Sequence, residues 1–140
     1  MQVLTIKEQK NLSHLRKIRE CLKNYDVYKV ILFGSYAYGN QSDDSDVDLI
    51  VIENKTGSYK TFRNRINAKS VISKKLRNMS DSPIDLLLYT KDEWKQLLKI
   101  NNSFIKEIKE KGIELSNSEN LDSKDPVNQA LNLSNKILFA

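Results

Sequence analysis

Two short apolar runs, Tyr28–Phe33 (YKVILF) and Val47–Glu53 (VDLIVIE), stand on either side of a polar segment rich in turn formers. Each is built from β-branched, aromatic and aliphatic residues and has the length of a strand, too short for a helix. Gly34 stops the first, and Asn54 and Gly57 help to end the second. A third run, PIDLLLYT, begins at Pro83, and the first residue of a strand is one of the few places where proline is tolerated. Around these runs the apolar spacing turns helical. Residues 5–24 place Leu12, Leu15, Ile18 and Leu22 on one stripe, and residues 58–79 offer Phe62, Ile66 and Ile72 or Leu76. Lys91–Ile100 and Ser103–Lys111 read as two shorter helices, the first favoured by Asp92 and Glu93 near its start and the second stopped by Gly112. Ile113–Ser116 (IELS) suggests a last short strand. Strands separated by helices predict a mixed α/β or α+β domain.

The length of 140 residues fits one domain with a core of its own. With 39% apolar and 29% charged residues the chain lies outside the disordered range. One cysteine excludes an internal disulfide framework and a multi-cysteine zinc site. The opening MQVLTIKEQK lacks the apolar stretch of a signal peptide, and no segment approaches a membrane span, so a cytoplasmic location is expected. The domain is expected over residues 1–116. Residues 117–140 begin with the polar NSENLDSKDP and read as a linker or tail, whose VNQALNLSNKILFA could form a final amphipathic turn or two.

The net charge of +5 hints at nucleic acid, but its layout is more telling. Between Lys29 and Lys55 there is no basic residue, while Asp43, Asp44, Asp46, Asp48 and Glu53 all fall there. From Lys55 to Arg77 the sign reverses, with Lys60, Arg63, Arg65, Lys69, Lys74 and Lys75 and no acid among them. Carboxylates followed at once by cations suit a site that holds metal ions and phosphates side by side.

Gly34-Ser35 follows the first strand and leads into what reads as a short helix. A glycine there lets the backbone approach a ligand, the helix start presents free N–H groups to an anion, and the Ser35 hydroxyl can donate to a phosphate oxygen. Gly34 and Gly39 match the glycines of a phosphate-binding loop, but Asn40-Gln41 stands where that loop needs Lys-[Ser/Thr], so this reading fails. Asp46-Val47-Asp48 puts two carboxylates on one face of a strand. At ~4 Å they repel by roughly 4 kcal/mol at an effective dielectric of 20, which a cation between them would relieve. Mg²⁺ suits a few carboxylates completed by substrate phosphates. An EF-hand is excluded because Leu49 replaces its glycine and Lys55 its bidentate glutamate. A phosphatase-type DxD would follow directly on an apolar strand, whereas a polar loop precedes Asp46. Asp85 interrupts the third apolar run, and a lone aspartate is costly to bury there unless it is paired or metal-bound. By itself it fits an edge-strand charge as well as a ligand. If the third strand lies beside the second, Asp85 joins Asp46 and Asp48 in a carboxylate triad.

Gly34-Ser35, ten intervening residues, Asp46-x-Asp48 and a later strand carrying Asp85 together resemble the active site of the polymerase-β-type nucleotidyltransferase superfamily, and most of all its short minimal nucleotidyltransferases. The resemblance spans roughly residues 25–115, including the pair of helices in TKDEWKQLLKINNSFIKEIKEKGIEL. It implies a small mixed β-sheet flanked by helices. It also implies that Gly34 and Ser35 hold the phosphates of ATP, and that Asp46, Asp48 and Asp85 bind Mg²⁺, in all two ions. Asp85 would also help deprotonate the attacking hydroxyl. Family members often carry a basic residue just after Gly-Ser; here Tyr36-Ala37-Tyr38 stands instead, and the basic run from Lys55 to Arg77 is the available substitute. With 25 residues after Leu115 in this sequence, no separate substrate domain is expected. Chains of this size resemble antitoxins whose partner is a helical HEPN ribonuclease toxin, silenced by AMP transfer to a toxin tyrosine. The alternatives are transfer to a small molecule or an RNA 3′ end, and neutralisation of a partner by binding alone. His14 and Cys21 read as helix-packing residues, and Trp94 as core or a partner-facing anchor.

Overall fold

The computed structural model describes residues 6–38, 46–80 and 82–115. The segment carrying Asp43 and Asp44, and the expected tail at 117–140, lie outside the described residues. The order of elements is α1 (Ile6–Leu22), β1 (Val27–Phe33), α2 (Ser35–Tyr38), β2 (Val47–Glu53), α3 (Phe62–Met79), β3 (Ile84–Thr90), α4 (Lys91–Ile100), α5 (Ser103–Lys111) and β4 (Ile113–Glu114).

The strands form one mixed sheet in the order β3-β2-β1-β4. β1 runs antiparallel to both β2 and β4, whereas β2 and β3 are parallel, joined by the crossover through α3. Helices cover both faces. Leu15, Ile18 and Leu22 of α1 and Ile72 and Leu76 of α3 pack on Leu32, Leu49, Val51 and Leu86. On the other face Trp94 of α4 and Ile105 and Ile108 of α5 pack on Ile31, Ile50 and Ile52. A sheet buried on both sides explains why ILF, LIVI and LLL are continuous apolar runs with no alternation. Cys21 and Trp94 are both core residues. The mixed α+β architecture expected from the sequence is the one observed.

Two local expectations need correction, and a third holds for a different reason. The predicted helix over 58–79 starts only at Phe62, where the Thr61 hydroxyl caps it by accepting from the Asn64 amide at 3.1 Å. The residues before it form a loop tied to α4: Gly57, at φ +76°, donates its N–H to the Asp92 carboxylate at 2.6 Å, and the Thr90 hydroxyl donates to the Gly57 carbonyl. Of the apolar stripe expected on this helix, Ile72 and Leu76 are buried, but Phe62 is 79% exposed and Ile66 41%. The two pairs lie on different stripes, and only packing against the sheet selects which is core. Gly112 does end α5, yet with φ −67° it is not a left-handed cap. A Cβ there would lie 2.6 Å from the Ile108 carbonyl, so close approach is what requires glycine. The left-handed cap belongs to Asn101 at the end of α4, with φ 51° and ψ 47°.

Arg65 fastens α3 to the far end of β3. Its Nη1 donates to the Leu88 carbonyl at 2.8 Å and to Glu93 Oε1 at 2.9 Å, and its Nη2 donates to the other carboxylate oxygen. Glu93 also accepts from the Thr90 amide at 2.8 Å, completing the capping box of α4. Burial pushes the Glu93 carboxyl up, but the Arg65 and Thr90 hydrogen bonds outweigh it and hold the group below the usual range. A lowered carboxyl stabilises the fold at neutral pH and loses that contribution as pH falls through its folded value. Arg65→Met should cost about 1–3 kcal/mol at pH 7, by leaving a part-buried carboxylate without its partner. Urea unfolding should show this loss shrinking as pH falls through the acid range; a pH-independent loss would contradict the pairing.

Candidate active site

Three chain segments reach the same end of the sheet because of strand direction. β2 and β3 are parallel and both begin there; β1, antiparallel to β2, ends there. The register places Asp48 beside Asp85 on one side and beside Phe33 on the other. Strand alternation puts all three on the face covered by α4 and α5. The apolar cover on that face ends at Phe33, whose ring meets Phe104 edge-on at 5.7 Å between centroids. Beyond it the carboxylates begin.

Gly34 follows Phe33 at φ +71°, and a Cβ built on it would fall 2.1 Å from Asp48 Oδ2. The Asp48 carboxylate therefore leans over the Gly34 backbone, in space that any other residue would fill. Ser35 comes next, half-buried, and Ala37, 1% exposed, anchors the turn in the α1–α3 core. The Ala37 amide donates back to the Gly34 carbonyl at 3.1 Å.

Asp48 is half-buried, while Asp46 and Asp85 are exposed. Burial first, then the Asp85 and Asp46 carboxylates, push the Asp48 carboxyl above the ordinary carboxylate range. All three sequence-predicted acids thus reach one end of the sheet. Among the described residues, however, no three His, Cys, Asp or Glu side chains converge on a common metal position. Asp46 precedes the first paired residue of β2, so the sheet does not fix its side chain as it fixes Asp48 and Asp85. The donor set still fits Mg²⁺: hard oxygen ligands, an open mouth, and a like-charge conflict that a divalent cation would balance. β3 is an edge strand, so Asp85 is an edge charge and a neighbour of Asp48 at once.

The basic run divides among different tasks. Arg65 is committed to Glu93, Lys55 pairs with Glu53 at 3.1 Å, and Lys75 lies over the Tyr25 ring. Lys69 and Arg77 instead line a cleft of about 540 Å³ that reaches Asp85, together with Ser73 and Ser82. The sequence reading missed this cleft as a feature, although the i, i+4, i+8 spacing of Lys69, Ser73 and Arg77 was there to mark a helix face. His14 packs against the end of α3 through a hydrogen bond to Ser80.

The site is thus a glycine-bearing turn after one strand, with carboxylates at the starts of two parallel neighbours. The chain belongs to the nucleotidyltransferase domain family, whose model matches residues 15–115. Two Methanocaldococcus jannaschii proteins, each named "Putative protein adenylyltransferase", are similar to it. One is 38% identical over 58 residues, covering 38% of this chain and 67% of the relative. Another is 33% identical over 87 residues, covering 62% of this chain and 77% of the relative. The fold is also similar to that of a chain in a crystal structure of a toxin–antitoxin with AMP-PNP. Its TM-score is 0.50 at 21% identity, with 89% of this chain and 87% of that chain covered. No helix among the described residues is long and apolar enough to cross a membrane.

Proposed function

We propose that this nucleotidyltransferase is a protein adenylyltransferase that moves AMP from ATP to a hydroxyl, most simply a tyrosine, of a HEPN-type toxin, and so acts as the toxin's antitoxin. The observation that carries the site is the β2–β3 register, which holds Asp48 next to Asp85 with Gly34 directly beneath the Asp48 carboxylate. The names of the relatives and the toxin–antitoxin context of the structural neighbour support the choice of acceptor.

In this reading Gly34 and Ser35 form the phosphate side of the site, where the chain lies open because glycine has no side chain. Asp46, Asp48 and Asp85 hold the two Mg²⁺ ions. Bound there, Mg²⁺ supplies the positive charge that balances the triphosphate and the departing pyrophosphate. Asp85, exposed at the sheet edge, accepts the proton of the incoming hydroxyl. The hydroxyl oxygen then bonds to the α-phosphorus, the bond from that phosphorus to the bridging oxygen breaks, and pyrophosphate leaves with the electron pair. In the same reading residues 1–116 are the transferring domain, and the polar sequence 117–140 serves as a linker or tail.

The test is the intact mass of the product of the neighbouring reading frame after incubation with this protein, Mg²⁺ and ATP. Adducts of whole adenylyl units on that partner, absent without ATP, are expected. An unmodified partner in the presence of correctly folded protein overturns the reading. Label from ATP appearing on RNA would favour transfer to a 3′ end, which the cationic cleft beside Asp85 keeps as the second reading.

A further inference from the structure

The cleft beside Asp85 lies on the opposite side of the carboxylates from Gly34, because β3 and β1 flank β2 on its two sides. Its walls are Lys69, Ser73 and Arg77 of α3 and the chain from Ser80 into β3. Among the described residues β3 pairs only with β2, so its outer edge faces this side. Towards the far end of β3 that edge is closed by the Arg65 guanidinium on the Leu88 carbonyl. At the near end the cleft takes its place.

Residues 62, 66, 69, 73 and 77 are spaced four, three, four and four apart and form a single stripe of α3. Over 15 residues at 1.5 Å each it runs roughly 22 Å, the reach of about seven residues of extended chain. Its first end is apolar, with Phe62 79% and Ile66 41% exposed. Its second end is cationic, and neither Lys69 nor Arg77 forms an ion pair among the described residues.

The geometry points to this stripe as the dock for the acceptor: an extended polypeptide segment, apolar where it passes Phe62 and Ile66 and acidic where it passes Lys69 and Arg77, delivering its hydroxyl to Asp85. The inference rests on the protein-acceptor reading above and deepens it. An extended peptide matches both the apolar end and the open edge beside β3, whereas a polynucleotide would call for cations along the whole path.

A fluorescently labelled random copolymer of glutamate and tyrosine serves as the probe, with its binding to the full chain followed by anisotropy. Lys69→Glu with Arg77→Glu should weaken binding about tenfold or more, and Phe62→Ser should weaken it separately, with the circular dichroism unchanged. The same change of net charge on α4, Lys95→Glu with Lys99→Glu, should leave binding within about twofold, because those exposed lysines lie off the stripe. Equal losses from the two charge reversals would show diffuse attraction and overturn the proposal. So would a loss of ATP affinity without loss of copolymer binding, or a single-stranded RNA that displaces the copolymer and itself becomes labelled. Failure of AMP transfer while the stripe variants still lose binding would sink the protein-acceptor reading and leave the dock standing.

Discussion

Asp48→Asn should all but abolish nucleotidyl transfer yet leave the domain at least as stable in the presence of a chelator. The lost step follows from the position of the carboxylate, flanked by Asp85 across the parallel register and leaning over Gly34. Charge stabilisation through a bound cation is worth several kcal/mol in such transfers, and each ~1.4 kcal/mol is a factor of ten, so a fall of roughly three orders of magnitude or more is expected. The stability half follows from the raised Asp48 carboxyl. Burial and the two neighbouring carboxylates make the ionised group less welcome in the folded chain than in the unfolded one. The folded state then binds more protons over the window between the unfolded and the raised folded value, so stability falls as pH rises through that window. Asparagine keeps the shape and removes that loss. Melting temperatures in chelator, at pH 4 and pH 7.5, should drop less between the two values for the variant, and Mg²⁺ should raise only the wild-type value. Transfer within tenfold of wild type would remove Asp48 from the proposed site.

Gly34→Ala should be the most damaging substitution that changes no charge. The new Cβ would stand 2.1 Å from Asp48 Oδ2 at a backbone φ of +71°, so the carboxylate must swing away or the turn must refold. The strained backbone costs about 1–3 kcal/mol, and displacing a catalytic group by an ångström costs on the order of 10²-fold in rate. Gly57→Ala is the matched control. Its φ is +76°, but nothing lies within 4 Å of the added Cβ. It should lose stability from backbone strain and keep its transfer rate. If Gly34→Ala loses stability alone, the contact between Gly34 and Asp48 has no part in catalysis.

Much of this arrangement is legible in the sequence. The apolar runs ILF, LIVI and LLL mark strands buried on both faces, and β2, α4 and α5 begin and end where the sequence places them. The period of two predicts that Asp46 and Asp48 share a strand face, but β2 begins only at Val47, so the sheet fixes Asp48 and not Asp46. Phe62 and Ile66 show the limit. Their spacing with Ile72 and Leu76 establishes a helix, but an apolar pair gains by burial only where a sheet meets it. That choice is made by how α3 sits on β3. Gly112 shows another, since its need comes from the Ile108 carbonyl and the neighbouring Ile31 side chain and not from its own dihedral angles.

By itself the sequence determined the mixed α+β fold class, the strands that carry acids, and the cationic character of α3, because periodicity and charge order are local properties of a chain. The tertiary structure alone decided that β2 and β3 run parallel in a register that sets Asp48 beside Asp85, that Gly34 lies under the Asp48 carboxylate, and that Lys69 and Arg77 line a cleft reaching Asp85 while Arg65 is locked to Glu93. These are contacts between residues far apart in the chain, and no local pattern encodes which partner a strand or a helix face will meet.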